Sequence, residues 1–409
     1  MKAYERLLKY VSFRTPSDEA NLGETPSTPE QHALAAYLAE EMTALGMTEV
    51  LADGHAYAYG KLPATPGYED RLPVGFIAHI DTVPVPEGAQ TNPSVVKDYD
   101  GGDIPLGDSG LVLSPAAFPH LKKLVGEDII VTDGTTILGA DDKAGVAEIM
   151  TAMERLIREE IPHGPISVCF PPDEEIGHGA ALMDLTRFGA AAAYTVDGSD
   201  ADEVEFETFN AAAAKWEIRG VEVHPGSAKD VMVNASLIAA EIVSSLPENE
   251  TPATTEGYEG FYHLGGMSGD VGRAELSYII RDHDRAKFEA RKRKMRDMER
   301  DINEKYGPGT AKLTLRDQYY NMAEVLRECP EVLHRARRAI AAADLRPVTK
   351  PVRGGTDGAQ LSFRGLPCPN LGTGGFAFHG PYEHISVQRM DKVTEILVGI
   401  AREYAQVVS

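Results

Sequence analysis

The apolar positions fall into two alternating patterns. Leu34, Leu38, Met42 and Leu45 recur at helical spacing behind Thr28-Pro29-Glu30-Gln31. That tetrapeptide reads as a helix start, with Thr28 as N-cap, Pro29 at the first helical position and Gln31 completing a capping box. Gly46 ends the helix. Val74 to Ala78 and Ile166 to Phe170 are short continuous apolar runs, the pattern of buried strands, and Pro171-Pro172 stops the second. Ala191 to Val196 reads as a third strand. Between them Val146, Ile149, Met150, Met153 and Ile157 line one face of a helix over 145–157. This rhythm predicts an α/β sheet covered by helices on both faces.

The character changes after about residue 208. Ala213 to Arg219 and Ala274 to Arg281 read as strands, and Val233 to Leu246 as a helix. Asp284 to Tyr306 reads as a long charged helix ending at Gly307-Pro308-Gly309. The earlier style resumes near Asp317. The expectation is a discontinuous catalytic domain, 1–207 and 318–409, with a smaller α+β lid over 208–317 and hinges near 208 and 317.

At 409 residues two domains are the default. The net charge of -23 disfavours nucleic acid and anionic membranes as partners. The basic run Arg291 to Lys294 lies on the charged helix beside many acids and reads as a solvated face. No run of about 18 apolar residues suggests a membrane span. Met1 to Leu8 lacks the apolar core of a signal peptide. Cys169, Cys368 and Cys329 lie far apart, outside any CxxC, which fits reduced thiols in a cytoplasm.

Five short motifs stand at the ends of apolar runs or in turns: His79-Ile80-Asp81, Gly139 to Lys143, Asp173 to Gly177, Val196-Asp197-Gly198 and Phe378-His379-Gly380. In α/β sheets ligands collect beyond the carboxyl ends of strands. Two imidazoles and several carboxylates are the ligand inventory of a paired zinc site, in which one carboxylate bridges the ions. Asp141, in a Gly-rich turn before a helix, is the bridging candidate. His79 and Asp197 complete one metal; Glu175 and His379 complete the other. Glu174, next to a ligand, is the candidate general base and acid. Asp81, two residues from His79 in an extended segment, is placed to orient its imidazole.

At these residues the chain resembles the dizinc peptidase family that contains aminoacylases and glutamate carboxypeptidases. Longer blocks resemble its tripeptide-aminopeptidase branch. They include Thr132 to Thr136, Leu138 to Gly145, Pro172 to Gly177, Phe209 to Lys215, Val223 to Lys229, Glu256 to His263, Tyr278 to Asp282 and Arg353 to Ala359. The resemblance implies a zinc-peptidase-like catalytic domain with a central mixed sheet flanked by helices, plus the inserted α+β lid. It implies the same ligands and base, two Zn2+ per subunit, and a cis peptide between Asp141 and Asp142. Lids of this kind dimerise in some relatives, so a homodimer is an expectation of the resemblance. One departure is Pro381-Tyr382-Glu383 after His379-Gly380, where the family more often has a lysine and then His or Phe.

The implied substrate is a small peptide. Arg353, in a Gly-rich turn, is a candidate to grip its terminal carboxylate. His224 is a candidate oxyanion donor. Asn210, Lys215 and Arg281 are further candidates for substrate contact. The leading expectation is release of the N-terminal residue from tripeptides. A carboxypeptidase or amide deacylase on the same scaffold, and a metal-binding protein without catalysis, remain the alternatives.

Overall fold

The computed structural model describes residues 1–406. The chain divides into two compact units. The first comprises Met1–Phe206, Glu324–Lys350 and the chain from Thr356 onward; the second comprises Glu207–Ala323 and Pro351–Gly355.

The first unit is built on a seven-stranded mixed sheet. Its order is Thr48–Ala52, Ala58–Leu62, Ile166–Phe170, Val74–Ile77, Ala192–Gly198, Asn370–Gly372, Val204–Glu205. The four strands from Ile166–Phe170 to Asn370–Gly372 run parallel; the outer pairings are antiparallel. Val74–Ile77 and Ile166–Phe170 are buried at every position, which is why they read as unbroken apolar runs. Helix Ala140–Arg158 packs against Ala3–Tyr10, Val387–Ala405 and the sheet. Another layer of the core gathers Ile77, Cys169 and Ala193 with Tyr57, Phe188, Leu361 and Cys368. Gly75 makes this packing possible, because a Cβ there would lie 2.3 Å from the Phe188 ring. Among the described residues no helix is long and apolar enough to cross a membrane.

The second unit is a four-stranded antiparallel sheet, ordered Phe261–Gly269, Arg273–Asp282, Asn210–Arg219, Ala311–Tyr319. Helices Ala235–Ser244 and Arg285–Tyr306 cover one face, enclosing Trp216, Ile218, Ile238, Leu276, Phe288 and Met295. Asn234 and Asp284 cap the two helices through side-chain bonds to Leu237 N and Lys287 N.

Two local expectations need correction. Thr28 does not cap a helix. The helix is Gln31–Ala44, its N-cap position is Glu30, and no side chain caps it. Thr28 Oγ1 instead donates to Pro16 O at 2.5 Å, and Gln31 Nε2 donates to Asp173 Oδ1 at 2.7 Å. A buried carboxylate distant in sequence outcompetes the local cap. The second correction concerns 318–409, which the sequence assigned wholly to the catalytic domain. Residues 318–323 and 351–355 belong to the second unit. Tyr319 continues a strand in register with Ala211, Val352 N donates to Glu207 O, and Gly355 lies against the Tyr319 ring, leaving no room for a Cβ.

Helix Ala140–Arg158 approaches the sheet so closely at Gly145 that a Cβ would meet Val196 O at 2.0 Å. Gly145→Ala is therefore expected to destabilise the first unit by about 1–3 kcal/mol. Gly54→Ala, where nothing lies within 4 Å, is expected to stay within about 0.5 kcal/mol of the parent. Denaturant titration of both variants checks the contrast.

Candidate metal centre

The site forms beyond the carboxyl ends of the parallel strands. His79 follows Val74–Ile77, Glu174 and Glu175 follow Ile166–Phe170, and Asp197 is the penultimate residue of Ala192–Gly198. Asp141 lies at the start of helix Ala140–Arg158, where Asp141 and Asp142 have non-helical dihedrals and the bond between them is cis. His379 sits in the loop between strands Gly375–Phe376 and His384–Ser386.

These residues converge. His79 Nε2 lies 3.1 Å from Asp141 Oδ1 and 3.5 Å from Asp197 Oδ1. His379 Nε2 lies 3.0 Å from Asp141 Oδ2 and 3.1 Å from Glu175 Oε2. The two oxygens of Asp141 thus face different imidazoles. Ligand atoms of His79, Asp141 and Asp197 all fall within 4.8 Å of one another, and so do those of Asp141, Glu175 and His379. Glu174 Oε2 stands 4.0 Å from His79 Nε2. His79 is buried and His379 is half exposed, which gives the pair an inner and an outer side.

The electrostatics are those of a site built for added positive charge. Burial pushes Asp197 up to about 8, with Asp141 adding to the shift and His79 opposing it. Burial, with Asp197 next, pushes both Glu174 and Asp142 well above the carboxylate range. Burial also raises Glu175, against its bond to His379. Asp141 goes the other way: burial would raise it, but its bonds to His379 and His79 hold it well below the usual range. Burial opposes charge on His79, yet Asp197, Asp141 and Asp81 outweigh it and raise the imidazole well above its ordinary value. Bonds to Asp141 and Glu175 push His379 up to about 10.

Glu175 Oε1 is buried without a hydrogen-bond partner. An orphaned carboxylate oxygen beside two imidazoles and three more carboxyl groups fits a divalent cation in each group, Asp141 serving both. The imidazole and carboxylate donors suit zinc.

Asp81 does more than orient His79. His79 Nδ1 lies 3.0 Å from Asp81 O and 3.3 Å from Asp81 Oδ1. The Asp81 carboxylate also accepts Glu174 N at 3.0 Å and Glu175 N at 3.2 Å, holding the segment that carries both glutamates. Three further carboxylates, none expected from the sequence, act similarly. Asp142 accepts His79 N at 3.2 Å and Gly145 N at 3.2 Å. Glu383 accepts Gly139 N at 2.8 Å and Asp141 N at 2.9 Å. Asp173, left-handed at φ 57, takes Ser27 N at 2.7 Å, Ser27 Oγ at 2.6 Å and Gln31 Nε2 at 2.7 Å. The available signal was position: each lies within four residues of a candidate ligand.

The candidates in the second unit have different surroundings. His224 is exposed, and its Nδ1 accepts Gly226 N at 3.1 Å, so Nε2 carries the proton as a free donor. Arg353 is not an open fork. Its Nη1 donates to Gly257 O at 3.0 Å and Glu259 O at 2.8 Å, and its Nη2 to Thr255 Oγ1 at 2.8 Å. The guanidinium also lies 5.2 Å from the Phe209 ring centroid. Asn210 is fully buried, donating to Asp282 O and His283 O and accepting Asn321 N, which makes it a structural residue. Lys215 is exposed and pairs with Glu275, whereas Arg281 bonds within its own sheet and to Gln318.

A family model described as a peptidase dimerisation domain matches residues 206–310. The chain is 51% identical over 404 residues to a protein named peptidase T from Bacillus velezensis, covering 98% of both chains. It is 50% identical over 400 residues to the peptidase T of Vibrio parahaemolyticus, covering 97% of both. The crystal structure of the aminopeptidase PepT of Bacillus cereus superposes with a TM-score of 0.78 at 26% identity, covering 99% of this chain and 98% of that one.

Cation binding requires unprotonated imidazoles and carboxylates. With His379 pushed up to about 10 and Asp197 to about 8, the metal-free protein holds protons at these two groups at neutral pH. Affinity for a divalent cation is therefore expected to rise with pH up to about 10, where His379 titrates. Calorimetry in two buffers of different ionisation enthalpy should show net proton release on binding. Proton-neutral binding would contradict these charge states.

Proposed function

The chain belongs to the peptidase T family, and we propose that it is a two-metal aminopeptidase releasing the N-terminal residue of tripeptides. The observation that carries this reading is the disposition of Asp141, whose two oxygens lie 3.1 Å and 3.0 Å from separate imidazoles. His79 and Asp197 would hold one ion, Glu175 and His379 the other, and Asp141 both. We read the ions as zinc. When bound, they would activate a water molecule and polarise the scissile carbonyl.

The protein's part is proton handling and positioning. Glu174 takes the proton of the attacking water and passes it to the leaving amine. Without cations burial, with Asp197 next, disfavours the ionised form of Glu174; two positive charges nearby would favour the ionised form needed of a base. Asp81 fixes Glu174 through its backbone amide and His79 through its ring. His224, whose Nε2–H is exposed, is the proposed oxyanion donor. Arg353 retains Nε–H and one Nη2–H for the substrate carboxylate. The dimerisation-domain match supports a homodimer, and the three unpaired cysteines support a cytoplasmic setting.

Mass-spectrometric analysis of an unblocked tripeptide is expected to show one free amino acid from the N-terminus and a dipeptide, lost with chelator and restored by zinc. Release of the C-terminal residue would instead indicate a carboxypeptidase, and cleavage of acylated substrates alone a deacylase. Glu174→Gln is expected to lower kcat by roughly 10²–10⁴-fold with metal content unchanged. Comparable turnover of a tripeptide and its C-terminal amide would count against the role given to Arg353.

A further inference from the structure

Glu383 is a buried glutamate, 1% exposed, that touches none of the ligand atoms described above. Its loop nevertheless carries His379. The loop connects strands paired through Phe376 and His384, and it is tightened by a bond from Glu383 N to Gly380 O at 3.1 Å. From there the carboxylate reaches across more than 240 residues of sequence. It accepts the amide hydrogens of Gly139 and Asp141, one on each oxygen. One side chain thus ties the loop of His379 to the turn that presents Asp141.

The two metal positions are braced differently. His79 is buried and held by Asp142 on its amide and Asp81 on its ring, and Asp197 lies within a paired strand of the sheet. His379 is half exposed, at φ +65, on a loop outside the regular strands. Its distance from Asp141 is the quantity that the Glu383 bonds constrain.

We propose that Glu383 is a positioning residue for the outer metal position: it sets the separation of Asp141 from His379 and thereby governs binding of the ion shared by Asp141, Glu175 and His379. The inference rests on the two-metal reading given above. Two bonds to backbone amides, one on each carboxyl oxygen, form a two-point link, and loss of such outer partners typically weakens a metal site about 10–100-fold. The ion held by His79 and Asp197 shares Asp141 but not the His379 loop, so it depends on this link only through Asp141.

The test is calorimetric zinc titration of the metal-free protein, wild type against Glu383→Gln. Glutamine keeps one acceptor but turns an NH2 toward the second amide, so one of the two bonds cannot form. Wild type is expected to bind two ions. Glu383→Gln is expected to bind the second ion about 10–100-fold more weakly, with distinctly less weakening of the first. Its kcat should recover as zinc is raised while KM for a tripeptide stays constant. Glu383→Asp, which keeps both acceptors on a shorter arm, should lose second-ion affinity in the same direction, and it serves as the test if the glutamine variant does not fold. Thermal melting of the metal-free variants provides the readout for a purely structural role. Wild-type affinity for both ions, or equal weakening of both with a lowered metal-free melting temperature, would overturn the proposal. A wild-type protein that binds fewer than two ions would instead overturn the two-metal reading on which it stands.

Discussion

Buried carboxylates that accept backbone amides hold this site together. Asp142, beside Asp141, grips the amide of His79. Asp81, two residues from His79, grips those of Glu174 and Glu175. Glu383, four residues from His379, grips that of Asp141. Each of these loops thus contributes a candidate ligand and a clamp on another loop. A carboxylate–amide bond in a dry interior is strong, and an unmade one there is costly. Such interlocking fixes ligand directions before any ion arrives, which a preorganised site requires.

The arrangement has an electrostatic cost. Asp141, Asp142, Glu174, Glu175 and Asp197 crowd around two imidazoles. Burial together with mutual repulsion raises all of these carboxyl groups except Asp141. A fold selected for stability alone would not gather them. Divalent cations would resolve the conflict by satisfying Glu175 Oε1 and neutralising the excess charge. The same charge that strains the metal-free protein therefore creates its affinity for metal.

The parts legible in the sequence were those whose cause is local. Val74–Ile77 and Ile166–Phe170 announce themselves because both faces are buried. The charged helix Arg285–Tyr306 is marked by Asp284 at its start and Gly307 at its end. The residues that converge at the candidate site stood out because imidazoles and carboxylates at the ends of such strands have few other uses. What escaped was long-range. Gln31 looks like a capping residue until Asp173 is brought to it by the fold. Glu383 drew no role from the sequence, because its partners are distant backbone amides that carry no side-chain signature. Arg353 sits in sequence beside the catalytic segment, but its acceptors Thr255, Gly257 and Glu259 lie in the second unit.

The central claim is that Asp141 bridges two cations. Anomalous diffraction at the zinc edge from zinc-loaded crystals tests it most directly. The account predicts two peaks about 3.5–4 Å apart, one against His79 and Asp197, the other against Glu175 and His379, with Asp141 between them. A single peak, or a pair that leaves Asp141 outside both coordination spheres, would contradict it.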